Sequence, residues 1–131
     1  MEDVLPVEGV AEEVLPPLGT ECLTPSGLKP AELIYRVPCD DGRHALVVCD
    51  CLFNHADVPG LMGWVFKRIT RSTGPFGITG LGRWLMLQDS IAFAAFLRET
   101  AVDDLAAISV GHGDALVDDP AARLREAADR V

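Results

Sequence analysis

No uncharged run in this chain approaches the roughly 18 residues of a membrane helix. The start, Met1-Glu2-Asp3, has neither the positive n-region nor the apolar h-region of a secretory signal, so the expected location is cytoplasmic. Cationic residues are few: 11 Lys and Arg stand against 20 Asp and Glu, for a net charge of −9. Phosphate backbones are held by clustered cations, so nucleic acid is not an expected partner. Histidine is scarce as well. His44, His55 and His112 are the three in the chain, and none belongs to a His-x-His pair. Internal repeats and low-complexity segments are also lacking. The four cysteines, Cys22, Cys39, Cys49 and Cys51, read as reduced thiols in a cytosolic domain of this size.

What is present suits an ordinary globular domain. Its 131 residues are enough for one core but not two, so residues 1–131 are read as a single domain. Charge is unevenly spread. Between Pro59 and Gln88 there is no acid, while Lys67, Arg68, Arg71 and Arg83 occur there with Trp64, Phe66, Phe76 and Trp84. A loop-rich cover over the core explains this stretch. So does a wall that draws in a small anionic ligand or a lipid headgroup. Both tryptophans are expected in the core. Before Leu33 the balance reverses, with Glu2, Asp3, Glu8, Glu12, Glu13, Glu21 and Glu32 against Lys29.

Residues 1–30 read as an extended, strand-rich segment, with Val14-Leu15 and Glu21-Cys22-Leu23 as short strands. Glu32 to Val37 alternates, placing Leu33, Tyr35 and Val37 on one face and Glu32, Ile34 and Arg36 on the other. Asp40-Asp41-Gly42-Arg43 is a turn of Asp-Gly type, so this strand and Ala45 to Cys49 should pair as a hairpin. Ala45 to Cys49 is continuously apolar, the pattern of a strand covered on both faces. Helices are expected near 58–70, near 81–87, and from Asp89 or Ser90, where Ile91, Ala94, Ala95 and Arg98 keep helical spacing beside Phe93 and Phe96. Arg71 to Gly82 reads as a mobile loop. Leu105 to Val110 is a second apolar strand. After it, Asp119 as cap and Pro120 at the first position open a helix with Ala121, Leu124, Ala128 and Val131 inward. On its wet side Asp119–Arg123, Arg125–Asp129 and Glu126–Arg130 are opposite charges four apart.

Two motifs carry chemistry. Gly111-His112-Gly113-Asp114 follows the second apolar strand, and Asp50 ends the first. Loops at the carboxyl ends of core strands commonly carry function, so Asp50 and His112 are expected to converge at one sheet edge as metal ligands. His55 and Asp114 are weaker candidates. His44 sits at the far end of its strand and should point away. Gly-His-Gly can equally be a turn whose glycines take positive φ. Cys49 and Cys51 flank Asp50 and would share one strand face. A cluster with His55 is conceivable, but small apolar thiols in a core strand are the commoner arrangement. A catalytic zinc needs about three protein ligands and a water, and only part of such a set is visible.

These motifs resemble the C-terminal half of the metallo-β-lactamase superfamily. Val47-Val48-Cys49-Asp50 is similar to the strand that delivers that superfamily's metal-bridging aspartate. Ile108 through Asp114 is similar to the strand and loop that deliver its final histidine. The match covers about Ala31 to Val131. The superfamily's His-x-His-x-Asp-His loop has no counterpart, and its intermediate histidine position is unfilled. The resemblance implies an α/β (α+β) fold: half of an αββα sandwich, a mixed sheet with helices on one face. It implies a hydrolase-like chain that binds zinc weakly or not at all and is not catalytically competent by itself. A missing N-terminal half or a homodimer would complete it. Two alternatives stand beside this. One is a metal-dependent hydrolase whose site is completed across a dimer. The other is a small module that binds an anion through residues 59–88.

Overall fold

A computed structural model describes residues 9–30, 32–55, 59–65, 67 and 75–131. Its sheet grows from the expected turn. Gly42 lies at φ 80°, a region open to glycine, and Asp41 accepts from the Arg43 amide at 3.0 Å and from its guanidinium at 2.8 Å. Those bonds hold the Asp41 carboxyl below its ordinary value. The turn joins β2 (Ile34–Pro38) to β3 (His44–Val48) as an antiparallel hairpin, with Tyr35 opposite Val47. β1 (Glu21–Leu23) adds antiparallel to β2, and β4 (Leu105–Val110) adds parallel to β3. The order is β1-β2-β3-β4, a mixed four-stranded sheet in an α+β fold. Among the described residues no helix is long and apolar enough to cross a membrane.

The parallel step requires a crossover, and three helices make it: α2 (Gly60–Val65), α3 (Gly80–Met86) and α4 (Ser90–Thr100). Asp89 caps α4 by accepting from the Ile91 and Ala92 amides at 2.9 and 3.0 Å. α5 (Pro120–Asp129) follows β4, capped by Asp119 with Pro120 in its first turn. Leu97 and Phe93 of α4 and Leu124, Ala127 and Ala128 of α5 meet Ile34, Leu46, Val48, Leu105 and Ile108 of the sheet in one core.

Several expectations are corrected. Val14-Leu15 is not a strand: α1 (Ala11–Val14) and a 3-10 turn (Pro16–Leu18) occupy that segment. Among the described residues β3 is covered on one face only. Leu46 and Val48 are buried, while Val47, pointing the other way, is 40% exposed. Among the described residues no helix lies over most of that second face, formed by Cys22, Tyr35, Val37, Ala45, Val47, Ala107 and Ser109 through the strand register. α1 reaches its edge, where the Cys22 thiol donates to the Ala11 carbonyl at 3.6 Å.

The buried stripe of α4 is Phe93, Ala94, Leu97 and Thr100, and Ile91 is 82% exposed. The stripe is rotated because the large side chains Phe93 and Leu97 take the sheet. Of the three charge pairs foreseen on α5, one gives way to tertiary partners, one to contacts within the helix, and one forms. Arg125 reaches Asp103 and Asp129 takes Arg98, each at 2.8 Å, while Glu126–Arg130 forms at 3.9 Å. Asp119 caps its helix and Arg123 pairs with Glu126. Of the helix foreseen over 58–70, Gly60–Val65 is described. Most of the remainder and 71–74 lie outside the described residues.

Candidate functional site

β3 and β4 run parallel, so their carboxyl ends share one sheet edge. Asp50 lies two residues past β3 and His112 two residues past β4. Their side chains meet, His112 Nε2 at 2.9 Å from Asp50 Oδ1. Both are about half exposed. An exposed side-chain pair contributes at most about 1 kcal/mol to stability, so fold stability alone gives little reason for the pairing.

Three local devices hold the pair. The first is Glu32, buried just ahead of β2, whose Oε1 accepts from the amides of Asp50 and Cys51 at 2.8 and 3.2 Å. It fixes the turn that carries Asp50. The second is Phe53, whose ring stacks on His112 with centroids 5.0 Å apart and planes 8° from parallel. The third is the backbone beneath. The Asn54 amide donates to the His112 carbonyl at 3.2 Å, the Asp114 amide donates to the Asn54 carbonyl at 3.1 Å, and Asn54 Nδ2 donates to the Asp114 carbonyl at 2.7 Å. Gly113 sits at φ 114°, and a Cβ there would lie 2.0 Å from the Asn54 carbonyl oxygen. The second glycine of Gly-His-Gly is therefore required by both its φ and this close approach.

His55 is near but separate, its ring centroid 6.4 Å from that of His112. Asp114 serves through its backbone, as a turn residue. His44 lies at the other end of the sheet, bonded to Asp104 at 2.8 Å. Cys49 and Cys51 do not share a face, because β3 ends at Val48 and the chain turns. Cys51 is fully buried and Cys49 exposed. Desolvation first, then the charges of Asp50 and Glu32, push the Cys49 thiol up, so it is no activated nucleophile. Burial followed by the Glu32 charge pushes Cys51 well above the ordinary thiol range.

A cleft of about 280 Å³ opens beside the pair, lined by Asp50, Phe53, Thr79, Leu81, Gly82, Leu85, Met86 and His112. Thr79 caps α3, accepting from the Gly82 amide at 2.9 Å, and so sets the helix along the cleft. Residues of the 59–88 stretch line it through Thr79, Leu81, Gly82, Leu85 and Met86, but among the described residues no Lys or Arg does. Arg83 is spent on the C-terminal helix, donating to the carbonyls of Arg130 and Val131. Arg68 and Arg71 lie outside the described residues. The tryptophans are not core: Trp64 and Trp84 are 58% and 79% exposed.

Asp50 and His112 have metal-ligand chemistry but do not amount to a metal centre. Among the described residues no group of three or more His, Cys, Asp or Glu is placed to hold an ion. Sequence reasoning missed Glu32, Phe53 and the α3 leucines. Glu32 could have been suspected as an acid on the same face as Ile34, at the head of a strand. Phe53 carries no local signal.

Comparison with protein-family models, curated proteins and solved structures yields no match to this chain.

Proposed function

We propose that this chain forms the C-terminal half of a metallo-β-lactamase-like sandwich and supplies Asp50 and His112 as two ligands of a metal centre of a hydrolase. The remaining ligands come from a second sheet docked on the open face. The observation that carries the reading is the convergence of Asp50 and His112 at 2.9 Å from the ends of adjacent parallel strands. The open face beside them supports it, because a layered fold buries each apolar sheet face against another layer. With only two ligands, the chain by itself holds no catalytic zinc and has no hydrolase activity.

Zinc binding tests this. The chain is dialysed against zinc and its metal content measured. The expected result is weak, substoichiometric zinc that His112→Ala or Asp50→Ala removes. Tight, stoichiometric zinc in the chain alone would overturn the half-site reading. Zinc unaffected by either substitution would overturn the ligand assignment.

A further inference from the structure

The cleft beside Asp50 and His112 has a composition that the pairing does not explain. One end is polar, formed by the carboxylate and the imidazole. The wall is apolar, made by Phe53, Leu81, Leu85 and Met86. Leu81 and Leu85, one turn apart on α3, are each 46% exposed, and Trp84 extends the same face further into solvent. A helix that only covered the core would turn such residues inward. Here the core needs just one face of α3, and the other carries a leucine stripe along the cleft.

The charge of the lining limits the occupant. Asp50 is an anion, and neither Lys nor Arg is among the lining residues. The chain as a whole carries −9. An anionic ligand would therefore be placed against a carboxylate with no Lys or Arg among the described lining residues to offset it. The volume, about 280 Å³, lies near the lower limit of ligand pockets and admits a small molecule, not a folded partner. Among the described residues none bonds Nδ1 of His112, which leaves that nitrogen for a ligand.

We infer that the cleft binds a small neutral amphiphile, its alkyl or aryl part along Leu81, Leu85 and Met86 and its hydroxyl, ester or amide group at the Asp50–His112 end. This names the substrate class of the proposed site, and rests on that reading only in taking the pair as the polar end.

The probes are 1-alkanols from butanol to octanol, with alkyl carboxylates of equal length. Binding is read from Trp84 fluorescence in the Trp64→Phe variant, with chelator present throughout. Each added methylene should tighten binding about fourfold, the equivalent of roughly 0.8 kcal/mol per buried CH₂, until the cleft is filled. Carboxylates should bind at least roughly tenfold more weakly than alkanols of equal length. Leu81→Asn and Leu85→Asn should flatten the dependence on chain length, and Ile91→Asn, on the exposed face of α4, should leave it intact. The Met86 methyl resonance, followed by NMR in the unsubstituted chain, reports the same binding without any variant. No chain-length dependence, non-saturating binding, equal binding of carboxylates, or an undiminished slope in the leucine variants would each overturn the inference. Because no metal is present in the assay, failure of the zinc prediction leaves this result unaffected.

Discussion

At the residue scale, the site depends on side chains and glycines whose roles come from distant neighbours. Gly113 shows this most directly. Its neighbour in the close approach, Asn54, is far away in sequence, so the motif alone permits both a free turn and a clamped one. The structure makes it a clamp, with φ 114° and no room for a Cβ. Gly113→Ala should therefore cost roughly 3 kcal/mol, combining left-handed strain with a backbone clash. Urea unfolding measures it, and a loss below about 0.5 kcal/mol, the range of surface substitutions, would contradict the clamp.

Cys51 gives a second residue-scale expectation, in pH. Burial raises its pKa in the folded chain, so the folded state keeps the proton longer than the unfolded state does. Its contribution is fully present below the unfolded thiol value of about 8.5 and is lost as pH rises beyond it. Stability of the native chain should fall above that pH, and less steeply in Cys51→Ala. Parallel alkaline slopes in the two proteins would remove Cys51 from the explanation.

At the element scale, the chain was read well where local rules suffice and poorly where packing decides. The Asp-Gly turn, the Asp119-Pro120 start and Leu105 to Val110 are set by backbone preference and capping, and all three appear as expected. The phase of α4 is different. Its composition is apolar nearly all round, so spacing fits more than one inward stripe. Contact with the sheet then selects Phe93 and Leu97. The Arg125–Asp129 pair of α5 fails for a similar reason, while Glu126–Arg130 forms. Short-range spacing cannot foresee Asp103 or Arg98 arriving from other elements, each at 2.8 Å. The α4 assignment has a sharp consequence. Leu97→Ala should destabilise by about 2–5 kcal/mol, as loss of a filled core position does. Ile91→Ala should change stability by no more than about 0.5 kcal/mol. Thermal unfolding of the two variants compares them, and equal losses would mean that the helix is turned otherwise.

At the scale of the whole molecule, the sheet has, among the described residues, one covered face and one open face. The continuous apolar run of β3 predicts burial on both faces, and among the described residues one face is covered. Leu46 and Val48 enter the core, and Val47 waits outside beside Tyr35, Val37 and Ala45. Fully burying a side chain such as valine is worth roughly 1.5–3 kcal/mol, so the open face favours association. The net charge of −9 opposes it when the partner is a second copy. Salt decides between these terms. At low ionic strength the repulsion reaches tens of ångströms, whereas near 1 M salt it is screened within about 3 Å, leaving the apolar attraction. Self-association should therefore strengthen as salt rises, opposite to an association held by ion pairs. Val47→Glu, by placing a charge at the centre of the face, should weaken it while leaving the unfolding midpoint nearly unchanged, because that side chain is outside the core. Sedimentation velocity across a salt series reads both effects. Association that weakens with salt, or that is indifferent to Val47→Glu, would place the contact elsewhere on the molecule. A chain that stays monomeric at high salt and high concentration would show that the open face has no affinity for its own copy. The second layer would then have to be a different sheet.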